Sequence, residues 1–205
     1  MSPRKGKKQF PFGKGTNPAL NAWRGGVHDF ASYAIGYFEA GNFLARHIVE
    51  SKDTAGELAL EIAIYPVMYL YRQGTELMMK HFIYDKPNAA PLRGDHNLQN
   101  LWKQARLEIA TMIEQYGGVA EEKALKKLDK FVSRLHLVDP NGEAFRFPET
   151  LQRSRYLEDY AQINIQPIYE SAKEAEEIFT WFVDARSEIR ADEAEAMQET
   201  DFYDN

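Results

Sequence analysis

Arg72, Glu76 and Lys80 are the residues whose types and spacing most suggest chemistry. Successive steps of four place them along one ridge of a helix, where Glu76 can bridge both cations. Two readings are open for that ridge. It is an intrahelical or buried ion network with a structural task. Alternatively it faces an anion, with Arg72 offering a bidentate fork, Lys80 a point charge, and Arg146 joining from an extended segment. His96 stands beside them as the histidine that follows a loop and opens a helix, a position from which residues often line sites. Capping or packing would account for it equally well. The catalytic candidates are therefore His96, Arg72 and Arg146. Those for an anion or partner are Arg72, Glu76, Lys80 and Tyr69.

Much familiar chemistry is excluded. With no cysteine there is no disulfide, no thiolate nucleophile, no iron–sulfur cluster and no Cys-based zinc site. The five histidines at 28, 47, 81, 96 and 136 include no pair at i, i+4, and HExxH is missing, so no metal is expected. His47, His81 and His136 read as packed or helix-end residues. GxGxxG, GxxxxGK[ST] and GxSxG are all absent, which leaves no phosphate cradle and no serine elbow, and no cofactor is implied. Glu-x-x-His is also lacking, so paired-carboxylate di-iron chemistry has no support.

The elements that must position these residues are helices nearly throughout. Phe30, Ala34, Tyr37, Phe38, Gly41, Leu44, Ala45 and Ile48 recur at helical spacing between Val27 and Glu50. Ser32, Gly36 and Ala40 form a second row of small residues that would admit another helix. The next helix runs from about Gly56 to Tyr84, with a kink or restart expected at Pro66. Beyond the proline it carries an apolar stripe from Val67 to His81, and Tyr69, Arg72, Glu76, Lys80 and Ile83 on the other side. Such a two-sided helix is central to its domain or lies at an interface.

After the Pro- and Gly-bearing connection 85–95, Asp95 or Asn97 can cap a helix through Leu98, Leu101, Trp102 and Ile109, which stops near Tyr116-Gly117-Gly118. A fourth helix follows, with Leu125, Leu128, Val132 and Leu135 on one face. Pro140-Asn141-Gly142 is a turn signal. Phe145 and Phe147 alternate with Arg146, so an extended stretch would put both rings on one side. The last helix begins near Ile165, with Pro167 in its first turn. The expected fold is all-α: an up-and-down-like bundle of about five helices with a short extended aromatic insertion before the last.

The 205 residues suit one domain with tails, and the net charge of −6 is divided. Residues 1–16 carry +5 and read as a basic flexible tail, with Phe10 and Phe12 available for stacking or docking. The helical domain, 17–186, carries −5, a sign unsuited to non-specific binding along a phosphate backbone. Residues 187–205 carry −6 and read as an acidic flexible tail. No apolar run approaches the ~20 residues of a membrane span, and the basic start lacks a secretory h-region. A cytoplasmic location is expected.

Three stretches in order resemble the HEPN superfamily: YLYRQGTELMMKHFI (69–83), HNLQNLW (96–102) and VDPNGEAFRFP (138–148). The resemblance implies a small helical bundle associated with prokaryotic defence, toxin–antitoxin pairs and RNA or nucleotide handling. Ribonuclease members carry an Arg and a His with four to six residues between them, near the last helix. No Arg here meets that spacing, and no His follows Arg153 or Arg155. The chain therefore reads as a non-catalytic HEPN-like interaction module, homodimeric through the Tyr69/Ile83 side of the second helix, with a protein or RNA partner. The alternative is a divergent metal-independent ribonuclease or nucleotide-modifying enzyme using Arg72, His96 and Arg146. A third reading is a small-ligand sensor using the bundle interior.

Overall fold

The computed structural model describes residues 29–51, 57–86, 89, 94–115 and 122–203. They form five helices: α1 (Phe30–Glu50), α2 (Glu57–Tyr84), α3 (Leu98–Gln115), α4 (Glu122–Val138) and α5 (Ile165–Tyr203). Each packs against its neighbour in sequence, and α5 closes back onto α1 and the end of α2. The expected all-α bundle is what forms. Among the described residues no helix is long and apolar enough to cross a membrane. The expected basic tail, 1–16, lies outside the described residues.

Local signals account for the helix ends. Asp29 opens α1 by accepting from the Ser32 amide at 2.7 Å. Asn97 does the same for α3, accepting from Asn100 at 3.1 Å, while Asp95 accepts from the Asn97 amide at 2.8 Å. Each satisfies an amide that the first helical turn leaves without a partner. Pro66 is exposed within a continuous α2, so no restart occurs there.

Helices α1 and α2 meet at glycines, but not at the expected row. Gly36 and Ala40 are exposed, and a Cβ on Gly36 would have nothing within 4 Å. The close approach is made by Gly41, where a Cβ would sit 2.8 Å from the Tyr71 ring, and by Gly74, 2.9 Å from Phe38 and 3.2 Å from the Ala34 carbonyl. These glycines set opposite expectations for the same substitution. Gly36→Ala should stabilise by up to about 1 kcal/mol, the helix-propensity gain. Gly74→Ala should destabilise by about 1–2 kcal/mol, because overpacking against backbone outweighs that gain. Urea denaturation of both variants checks the pair, and equal shifts would overturn this account of the packing.

Two other expectations are corrected. Residues 143–147 turn instead of extending, since the Arg146 and Phe147 amides both donate to the Glu143 carbonyl at 3.0 Å. The rings consequently divide, with Phe145 buried and Phe147 exposed. Helix α5 does not end at 186 but continues to Tyr203 through the acidic segment. No glycine or proline follows Pro167 to stop it.

The continuation is also anchored. Arg186 Nη1 donates to the His81 and Phe82 carbonyls at 3.2 and 3.3 Å, and Arg190 Nη1 meets the Asp85 carboxylate at 3.0 Å. Both guanidinium groups also donate to the Asp85 carbonyl. Two arginines of α5 thus close the C-terminal end of α2, where carbonyls lack helical partners and the helix dipole favours cations.

Candidate functional site

The second half of α2 is the centre of the molecule, and almost every side chain from Tyr71 to Ile83 is buried. Helix periodicity then obliges the polar ridge to be buried as well, so its charges must find partners inside. They do. Arg72 is 1% exposed. Its Nη1 donates to Glu76 Oε2 at 2.8 Å and its Nε to the Asp139 carbonyl at 3.1 Å. Its Nη2 donates to the carbonyls of His96 and, at 3.4 Å, Pro140. One guanidinium therefore ties α2 to the loop entering α3 and to the loop leaving α4.

The second loop is shaped to receive it. Gly142 has φ +80°, a left-handed conformation suited to glycine, and a Cβ there would sit 3.5 Å from the nearest atom of the Arg72 guanidinium. Asp139 is 2% exposed, and its Oδ1 accepts from the Glu143 and Ala144 amides at 2.8 and 3.1 Å. The loop is held by a side chain at one edge and by Arg72 at the other. The Pro140 carbonyl also accepts from the Leu98 amide at 3.3 Å, which joins the two loops directly.

Glu76 is the hub. Its Oε1 accepts from Lys80 Nζ at 2.7 Å and lies 2.9 Å from His96 Nδ1. Burial pushes the Glu76 carboxyl up, but hydrogen bonds and charge from Lys80 and Arg72 outweigh it and hold the group below its usual range. The carboxylate is thus ionised, and the proton on His96 sits on Nδ1 as the donor. The His96 ring is 59% exposed, and its Nε2 makes no hydrogen bond among the described residues.

The structure brings together Arg72, Glu76, Lys80 and His96 and leaves Arg146 apart. Arg146 is exposed and lies over the adjacent Phe147 ring at 5.1 Å, with no hydrogen bond to Arg72 or His96. Tyr69 is half-buried against the core. Ile83 is buried with the Arg72 ridge, so this side of α2 is covered from within the chain. Among the described residues no group of three or more His, Cys, Asp or Glu is placed to hold a metal ion.

Two polar arrangements had no motif to reveal them. Tyr71 donates to Asn42 Oδ1 at 3.0 Å, and the Asn42 amide donates to Glu176, linking α2, α1 and α5 through the core. Burial pushes both the Tyr71 hydroxyl and the Glu176 carboxyl up. The other is the pair of α5 arginines closing α2. Each is built between distant segments, whose meeting no local spacing records.

The arrangement defines a class, an all-α bundle whose ionic centre is internal and whose single exposed member is a histidine ring. No protein-family model matches the chain, and no curated protein or solved structure matches it significantly.

Proposed function

We propose that this chain is a non-catalytic, HEPN-like binding module that works through a protein or RNA partner in a prokaryotic defence or toxin–antitoxin setting. The observation that carries the reading is the spent state of Arg72. Its donors go to Glu76 and to three loop carbonyls, and its surface is closed. An arginine used in this way does not grip a phosphate. The lack of an Arg-x4–6-His motif agrees with it. A homodimer belongs to this proposal but has to use a face other than Tyr69/Ile83, because Ile83 is buried within the chain. Light scattering checks it, and a monomer at micromolar concentration would count against the dimer.

One observation favours a second reading. A histidine whose Nδ1 is fixed by a buried carboxylate, with Nε2 open to solvent, is arranged for proton transfer. On that reading the chain is a divergent ribonuclease, and Arg146 is its remaining exposed cation among the candidates. Incubation with total RNA separates the two. Intact RNA with the wild type, His96→Ala and Arg146→Ala is the result expected of a non-catalytic module. Cleavage by the wild type that disappears in His96→Ala would replace that module with an enzyme.

A further inference from the structure

We propose that the groove between α4 and α5 binds a small amphiphilic anion, an apolar body bearing a carboxylate head. This goes beyond the partner-binding reading and does not depend on it. The groove holds a cavity of about 330 Å³ walled by Met68, Phe131, Leu135, Val138, Phe145 and Ile168. That volume lies at the lower end of the range of about 300–1,000 Å³ typical of small-molecule sites. Phe145 reaches it because residues 143–147 turn and direct one ring inward. Gln162 and Asn164, from the segment preceding α5, supply polar groups at its edge.

The charge beside the cavity selects the ligand. A second recess of about 270 Å³ shares Phe131, Arg134 and Ser171 with the first and adds Lys127 and Lys130. Lys127 is neutralised by Glu174 at 2.7 Å. Lys130 and Arg134, four residues apart on one face of α4, have no acidic partner among the described residues. An apolar hollow thus opens onto two uncompensated cations in a domain whose net charge is negative. A neutral apolar ligand would leave the cations unused, and a bare phosphate would leave the hollow empty. A carboxylate with a hydrocarbon body uses both.

The test uses the full chain and three probes with the same tail: decanoate, decanol and decyltrimethylammonium. Calorimetric titration should show saturable decanoate binding, decanol weaker by roughly fivefold, and no binding of the cation, the factor being that of an exposed charge contact. The double variant Lys130→Gln/Arg134→Gln should bring decanoate down to the decanol level and leave decanol unchanged. Ser171→Phe fills the junction of the two recesses and should abolish both. Ile168→Phe fills the hollow from its wall and serves if the first filling variant loses its circular dichroism spectrum. The proposal is overturned by equal binding of decanoate and decanol, by binding that survives a folded filling variant, or by no binding of any probe. The last outcome would leave the groove to a peptide or to nothing.

Discussion

Replacing Arg72 with methionine is expected to remove about 3–5 kcal/mol of stability, the usual cost of taking one partner from a buried ion pair. The apolar stem of the new side chain fills most of the space, so lost volume contributes little. The loss comes from unmet polar groups. The Asp139 and His96 carbonyls lose their donor inside the protein, and each such group costs about 1–3 kcal/mol. Glu76 keeps Lys80, which limits the damage to its own charge. Against a total of about 5–15 kcal/mol for an ordinary domain, the variant stands near the edge of folding.

Arg72→Lys should recover only part of this. It retains the charge but not the planar fork that reaches Glu76 and two loops at once. Urea denaturation measures both variants, and amide exchange at residues 94–97 and 139–144 reports whether the loops are released. An Arg72→Met protein within about 1 kcal/mol of wild type, below the range for such a loss, would show that the guanidinium is not the clasp described. Loss of stability with the remaining helices still protected would show the reverse.

The helices were legible in the sequence because their signals are local. Asn97 caps where its side chain suggests, and the stripe through Leu125, Leu128, Val132 and Leu135 is buried as its spacing predicts. The ridge of Arg72, Glu76 and Lys80 was equally legible as a ridge. Its direction was not. Four-residue spacing says that three charges share a face, while burial depends on which distant segments cover that face. Here the cover comes from residues 96 and 139–142, which lie 24 and about 67–70 positions away from Arg72.

The same limit applied to the small residues of α1. Spacing puts Gly41 on the apolar stripe and Gly36 in a row of small residues, and only the position of the Tyr71 ring decides at which of them the second helix comes close. The extension expected of residues 145–147 does not form, for a different reason. Alternation of Phe, Arg and Phe fits a strand, but Asp139 draws two amides onto its carboxylate and starts a turn. That is local side-chain chemistry overriding a period of two.

Lowering the pH through the range of ordinary histidine titration is expected to cost this protein roughly 3 kcal/mol through His81 alone, by linkage. The His81 side chain is buried at the end of α2, and neither ring nitrogen has a hydrogen-bond partner. Its Nδ1 lies 3.4 Å from Asp85 Oδ2, but Arg190 already holds that oxygen at 3.0 Å. The charges around the ring come from Asp29 and Asp85 on one side and Arg186 and Arg190 on the other. Burial dominates and pulls the folded-state pKa down to about 4, from 6.5 in an ordinary histidine.

The folded protein therefore keeps His81 neutral where the unfolded chain takes up a proton. Stability from this group is fully present above about pH 6.5, falls as the pH drops, and levels off below about pH 4. Other groups titrate nearby. Glu176, pushed up by burial, contributes a slope of opposite sign, while Glu76, held down by Lys80 and Arg72, loses stability toward lower pH. Both are common to wild type and a His81 variant, so the difference between the two isolates the histidine.

His81→Leu should cancel the wild-type decline between about pH 6.5 and 4. It should also match or exceed wild-type stability at neutral pH, since it removes two buried nitrogens without partners. Urea midpoints measured across that range give the comparison directly. Parallel pH profiles for the two proteins would mean that His81 takes up its proton as readily in the folded protein as in the unfolded chain, with Asp85 offsetting the cost of burial. In that case Arg190 would have to be holding the Asp85 carbonyl alone, and a structure at low pH would show the Asp85 carboxylate turned toward the imidazole.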